Sequence, residues 1–177
     1  MASKYGFITQ EPHAKAMLRD IDASAKDLCE VCGNIRNLPA ELAIQFLEQA
    51  KLGNVAIRYK KHNKHLGHRK ELGSLKGRYP VKACKFVLKV LKNAYANAQQ
   101  QGLTTPVVAY ASASKMRVYP RMAAKGRRVR ADYETAYVQI ALMSGPEPEV
   151  AATKPAKKKP KEKEGKVEEK KGISARQ

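Results

Sequence analysis

The chain has no tryptophan and only three phenylalanines. A core must therefore be assembled from Ala, Val, Leu and Ile instead of large aromatic side chains. Three cysteines is an odd count, which argues against a disulfide framework and for a reducing compartment. No apolar run approaches the roughly 20 residues that a membrane-spanning helix requires. The opening MASKYGFITQ lacks the apolar stretch of a secretory signal. No glycine-rich phosphate loop of defined spacing occurs, and Ser112 and Ser114 have no His or acid nearby in sequence to activate them. Neither catalysis nor a cofactor is expected.

Acids are the most informative shortage. Glu71 is the only one between Arg58 and Lys92, where twelve Lys and Arg fall, and none lies between Lys115 and Arg130, where seven more fall. Such blocks repel themselves in water. They are tolerable when a polyanion surrounds them, because each neutralised phosphate releases counterions. The net charge is +19 over 177 residues, and residues 154–177 hold only ten of the 35 Lys and Arg, so the basicity is not a tail effect. A membrane-surface role is disfavoured, since the blocks lack the Trp/Phe/Leu face of an interfacial helix. Nucleic acid is the partner this charge fits.

Along the chain, residues 16–23 alternate weakly, with Met17, Arg19, Ile21 and Ala23 opposite Leu18, Asp20 and Asp22, as in a short edge strand. Ser24 with Asp27 resembles a helix cap, and Leu28, Val31, Cys32 and Ile35 follow at helical spacing. A second helix starts at Pro39, buries Leu42, Ala43, Phe46, Leu47 and Ala50, and ends at Gly53-Asn54. Residues 55–79 contain three Gly and almost no apolar periodicity after Ile57; they read as an irregular basic loop moulded by RNA. The clearest helix runs over 80–101. Its stripe is Val81, Cys84, Leu88, Leu91, Tyr95 and Ala98, and Lys82, Lys85, Lys89 and Lys92 repeat one residue later, about 100° around the axis.

Strand patterns at 107–113 and 137–142, the latter with Val138, Ile140 and Leu142 on one face, flank a charged stretch whose arms cannot pack a core. That stretch predicts a projecting hairpin over about 107–142, poorly ordered when free in water. At ~3.3 Å per residue, ten residues of arm reach roughly 30 Å. Residues 146–177 collapse to Lys, Glu, Pro and Ala and read as a solvated, disordered tail, leaving 1–145 as a single domain.

Cys29 and Cys32, with His62, His65 and His68, invite a zinc reading. The cysteine pair lies on an apolar helical face, no second such pair exists, and cations around the histidines oppose a metal ion. Buried cysteines and RNA-facing histidines fit better, and no metal site is expected. A redox reading lacks the βαβ context it needs. An ordinary solvated lysine face would intermix acids for i,i+4 pairing, and none lies between Glu71 and Asp132. The hairpin block lies between strands, unlike a nuclear-localisation patch, and includes Tyr119 and Tyr133, which can stack on bases.

Residues 60–103 closely resemble one family. Lys61-His62-Asn63, Gly67-His68-Arg69, Gly77-Arg78-Tyr79-Pro80 and Leu91-Lys92-Asn93-Ala94 with Asn97-Ala98 are similar to the universal large-subunit ribosomal protein that lines the nascent-peptide exit tunnel, in its archaeal and eukaryotic branch. This is protein twenty-two of bacterial and seventeen of eukaryotic large subunits. Pro120-Arg121 and Gly126-Arg127 resemble its basic hairpin tip, and the likeness extends over roughly 15–143. The central motifs and the Lys/Glu tail favour a eukaryotic source.

The resemblance implies an α/β fold of the α+β kind: three helices packed on a small three-stranded antiparallel sheet, with a long projecting hairpin. It implies a structural constituent of the large subunit, located in the cytoplasm on the ribosome. Its partners would be large-subunit rRNA, neighbouring large-subunit proteins and, in passing, the nascent polypeptide, with no membrane. In the loop, rRNA contacts fall on Arg58, Lys60, Lys61, His62, Asn63, Lys64, His68, Arg69, Arg78 and Tyr79. On the long helix they fall on Lys82, Lys85 and Lys89, and in the hairpin on Lys115, Arg117, Arg121, Lys125, Arg127, Arg128 and Arg130. Tyr119 is a further stacking contact. The tunnel-lining tip is Arg121, Met122, Ala123, Ala124, Lys125, Gly126 and Arg127, with a longer Arg-to-Gly spacing than the family's. Two rivals remain: a free regulatory RNA- or DNA-binding module outside the ribosome, and a small metalloenzyme built on Cys29, Cys32 and His65.

Overall fold

In the computed structural model, which describes residues 5–6, 13–124 and 126–145, the chain stacks a helical layer on a sheet. The order is β1 (His13–Ile21), α1 (Ala25–Ile35), α2 (Ala40–Leu52), β2 (Ile57–Arg58), β3 (His68–Arg69), a 3-10 turn (Lys70–Leu72), β4 (Leu75–Arg78), α3 (Val81–Gln100), β5 (Pro106–Tyr119) and β6 (Tyr133–Ser144). Antiparallel β1, β6 and β5 lie side by side in that order, and a second small sheet has the order β2-β4-β3. Helices α1 and α3 pack on the main sheet, and α2 packs mainly on α3. The tail expected at 146–177 and Lys125 of the hairpin tip lie outside the described residues.

The helices form where capping and periodicity agree. The Ser24 hydroxyl accepts the Asp27 N–H at 3.5 Å and starts α1. Gly53 adopts φ 84° and closes α2, and its N–H returns to Ala50 O. Leu28, Ile35, Leu47, Leu91, Ile140 and Leu142 are fully buried between the layers. Each such side chain contributes roughly 1.5–3 kcal/mol by leaving water. Strand β6 is central and buried on both faces, which places Thr135 and Gln139 out of water. Gln139 Oε1 accepts the Gly6 N–H at 3.0 Å.

Several expectations shift. Strand β1 starts at His13 and buries Ala14 and Ala16; a register break between Leu18 and Ile21, with Asp20 at φ 52°, then resets the alternation. Ile21 is therefore buried without Met17 and Arg19 sharing its face. On α2, Pro39 is the cap before the first helical residue, and Leu42 is 54% exposed, because the apolar face is carried by Ala40, Ala43, Leu47 and Ala50. On α3 the buried band is wider than one stripe, since Ala83, Val87, Val90 and Ala94 join it while Val81 and Tyr95 are half-buried.

Strands β5 and β6 are longer than their apolar cores. They pair from Pro106↔Ser144 out to Tyr119↔Tyr133, with a further bridge Met122↔Arg130. Residues 55–79 are irregular only in part: three short strands pair Ile57↔Arg78, Arg58↔Gly77, His68↔Lys76 and Arg69↔Leu75, while residues 59–67 lie outside any helix or strand. Gly77 is required there. A Cβ would lie 2.7 Å from Ile57 O and 2.5 Å from Leu72 Cδ1.

Candidate nucleic-acid interface

The basic segment 55–79 is folded against one flank of α1. Asp27, Glu30 and Asn34 recur at i, i+3 and i+7 there, roughly 120° around the helix from the Leu28/Val31/Cys32/Ile35 stripe. Asp27 Oδ1 accepts the Tyr59 hydroxyl at 2.8 Å. Asn34 Nδ2 donates to Arg58 O at 2.8 Å. Glu30 is 3% exposed, and its two carboxylate oxygens accept the backbone N–H groups of Lys60, Lys61 and His62 at 2.7–2.8 Å. Burial works to raise the Glu30 carboxyl, but these three bonds outweigh it and hold the group below its ordinary value. Burial and the bond to Asp27 push the Tyr59 phenol up.

Tyr59 lies between two cationic clefts. One, of about 410 Å³, is lined by Lys26, Lys61, His62, Lys64 and Arg78; the other, of about 480 Å³, by Arg58, Lys60, Asn63, His68 and Lys76. Lys26 and Ser24 also line a third cleft of about 400 Å³, where Lys82 of α3 and Lys115 and Tyr133 of the hairpin root meet Asp22, Asp132 and Glu134, so this cleft is mixed in charge. The two charge blocks, far apart in sequence, thus approach each other at the first turn of α1, with acids between them. Sequence reasoning missed Lys26, Lys76 and Glu30. The only signal for Lys26 was its place beside a cap, and the signal for Glu30 was the polar spacing along α1.

The candidate contacts divide by what already holds them. Lys82 pairs with Asp22 at 2.8 Å and Lys92 with Glu48 at 2.6 Å, so half the ridge is paired across elements despite the lack of nearby acids in sequence. Both pairs are exposed and weak. Lys85 and Lys89 are exposed with no acid beside them among the described residues. Arg69 Nε donates to Gly77 O at 3.2 Å, and its guanidinium lies 5.3 Å from the Tyr79 ring centre, while the Tyr79 hydroxyl donates to Glu71. Those two side chains therefore shape the loop as well as face outward.

On the hairpin, Lys115 pairs with Glu134 and Arg130 with Asp132. Arg121 lies over the Tyr133 ring at 5.3 Å and donates to Ala131 O at 3.4 Å, and the Tyr119 and Tyr133 rings tilt against each other at 5.9 Å. The Arg117 N–H donates to Thr135 Oγ1 at 3.2 Å. Arg127 and Arg128 are exposed, as are Met122, Ala123, Ala124 and Gly126 of the tip.

Two of the three cysteines are not poised for chemistry. Burial pushes the Cys32 thiol up to about 12 and Cys84 up to about 11. Neither supplies a thiolate at neutral pH. Among the described residues no three His, Cys, Asp or Glu side chains converge as metal ligands, and no helix is long and apolar enough to cross a membrane.

A sheet layered by helices, a hairpin extended beyond the core and cationic clefts beside Tyr59 define a basic α+β protein. The family model for ribosomal protein L22p/L17e matches residues 16–143, and the chain belongs to that family of ribosomal proteins, which is not a family of enzymes. It is 38% identical over 142 residues to large ribosomal subunit protein uL22 of Methanocaldococcus jannaschii, covering 76% of this chain and 90% of the relative. It is 37% identical over 136 residues to uL22 of Methanococcus vannielii, covering 73% and 88%, and 42% identical over 111 residues to uL22 of Archaeoglobus fulgidus, covering 61% and 72%. These relatives are archaeal. Of the two features that favoured a eukaryotic source, the central motifs lie within the matched residues and the tail lies outside them.

Proposed function

We infer that this chain is a structural constituent of the large ribosomal subunit. It binds large-subunit rRNA through residues 1–145 acting as one domain, and lines the nascent-peptide exit tunnel with its hairpin. The observation that carries this reading is the cationic surface: the clefts beside Tyr59, Lys85 and Lys89 of α3, and the exposed Arg127 and Arg128 beyond the last paired strand residues. Family membership supplies the particle. Affinity comes from Lys and Arg on phosphates and from shape, with His62, Asn63, Tyr79 and Tyr119 as polar or stacking contacts. The slender tip, with Ala123 and Ala124 beside Arg121 and Arg127, suits a passage between RNA walls, where it touches nascent chains without chemistry. Neighbouring large-subunit proteins complete the surroundings, and the working location is the cytoplasm.

The test is sedimentation of lysate through sucrose at low and then high salt, following this chain by immunoblot. Co-migration with the large subunit through the high-salt wash is expected, since a weak electrostatic passenger loses affinity steeply with salt. Migration as a free protein at both salts overturns the reading in favour of a nucleic-acid-binding module outside the ribosome.

A further inference from the structure

A carboxylate at the centre of an RNA-binding surface is of the wrong charge for its surroundings. Glu30 lies beneath Lys60, Lys61 and His62, and its oxygens face their backbone amides, not their side chains. Three consecutive N–H groups turned onto one anion form a nest. Here the anion is internal and 3% exposed, so RNA phosphate does not reach it. With those amides turned inward, the side chains of Lys60 and Lys61 line opposite clefts beside Tyr59. The bonds from Tyr59 to Asp27 and from Asn34 to Arg58 O fix the same strand just before the nest. All three tethers come from α1, whose other face is buried in the core.

We propose that Glu30 is a positioning residue that folds the cationic segment 55–79 onto α1 before RNA arrives, so that RNA docks on a preformed pair of clefts. The proposal rests on the rRNA-binding reading above, and replaces the picture of a loop moulded by RNA. A preformed surface binds without the ordering cost that a disordered basic segment carries. It also selects RNA already folded to present phosphates on both sides of Tyr59.

The sign of one substitution separates the two pictures. Glu30→Gln removes a negative charge from beneath Lys60 and Lys61. If the segment is shaped by RNA, charge alone makes the variant bind at least as tightly as the parent. If Glu30 shapes the segment, the variant binds more weakly in spite of its greater positive charge, by about tenfold where preorganisation is lost. The full chain is titrated with purified large-subunit rRNA at several salt concentrations, and amide hydrogen exchange is followed at residues 60–62 in the free protein.

The expected result is protected amides in the parent, fast exchange and weaker binding in Glu30→Gln, and an unchanged salt slope, because the same phosphates are contacted. Ile140→Val, a core change, provides a destabilised control that keeps parental affinity. Should Glu30→Gln fail to fold, Tyr59→Phe removes only the hydroxyl held by Asp27, and the same loss of protection and affinity is expected in smaller measure. Unprotected amides in the free parent overturn the proposal, as does equal or tighter RNA binding by a folded Glu30→Gln. A parent that does not bind rRNA at all sinks the rRNA reading together with it, an outcome distinct from binding by parent and variant alike.

Discussion

Deleting residues 116–130 should leave a folded protein that has lost a large part of its RNA affinity. Among the described residues of the deletion none belongs to the buried core, and the exposed large hydrophobics are Val118, Tyr119, Met122 and Val129. The last pair kept is Lys115↔Ala136, and joining Lys115 to Ala131 leaves residues 131–135 as a five-residue hairpin loop, a length that antiparallel strands accept. Bonds lost include Ala123 N–H to Val129 O, Ala131 N–H to Arg121 O and Arg117 N–H to Thr135 Oγ1. At about 0.5–1.5 kcal/mol each, the loss is roughly 2–4 kcal/mol. Removal of six Lys and Arg and no acid relieves repulsion and offsets part of it. For a body of this size that corresponds to a Tm lower by about 5–15 °C, with a cooperative transition retained. If the six cations each meet a phosphate, the slope of log K against log salt falls by about 4–5. Circular dichroism melts and rRNA titrations at several salt concentrations read both quantities. A variant without a cooperative transition refutes the claim that the hairpin projects from a self-sufficient core, and an unchanged salt slope refutes its role in RNA binding.

Three further outcomes follow from the same geometry. Thiol labelling of the native protein at pH 8 should modify the half-buried Cys29 and spare Cys32 and Cys84 until denaturant is added, because burial raises both thiols; fast native labelling of Cys32 contradicts the packing of α1. The Glu30 carboxyl is lower in the folded than in the unfolded chain, so its contribution is present above the unfolded value of about 4.3 and is lost as pH falls through the folded value. In urea titrations across pH 3–7, the deficit of Glu30→Gln relative to the parent should therefore be largest near neutrality and shrink in acid. Lys85→Ala and Lys89→Ala should each lower the salt slope of rRNA binding by about 1, whereas Lys92→Ala, which removes a partner of Glu48, should change it less.

What was legible in the sequence was whatever repeats. The apolar spacing of Leu28, Val31, Cys32 and Ile35 and of Cys84, Leu88, Leu91 and Ala98 marked α1 and α3, because burial on one side of a helix requires that spacing. Val138, Ile140 and Leu142 marked β6 for the same reason at period two. The outer arms of the hairpin could be read as projecting but not as paired strands: residues from Lys115 to Tyr119 are mostly exposed, so pairing there rests on backbone bonds that leave no side-chain pattern. Segment 55–79 was hidden more deeply. The order of residues 60–62 comes from a carboxylate thirty residues upstream that binds amides, and every residue but proline offers an amide. The information was nevertheless present on the other partner. Asp27, Glu30 and Asn34 form a polar row at helical spacing on a helix whose apolar row was already assigned, and the same row on a solvent-exposed flank would have needed no buried acid. Glu30 is charged and fully enclosed, a combination that persists only when every oxygen finds a donor. Once such donors are sought, a glycine-punctuated basic segment with free amides and no core of its own is the part of this chain that can supply them.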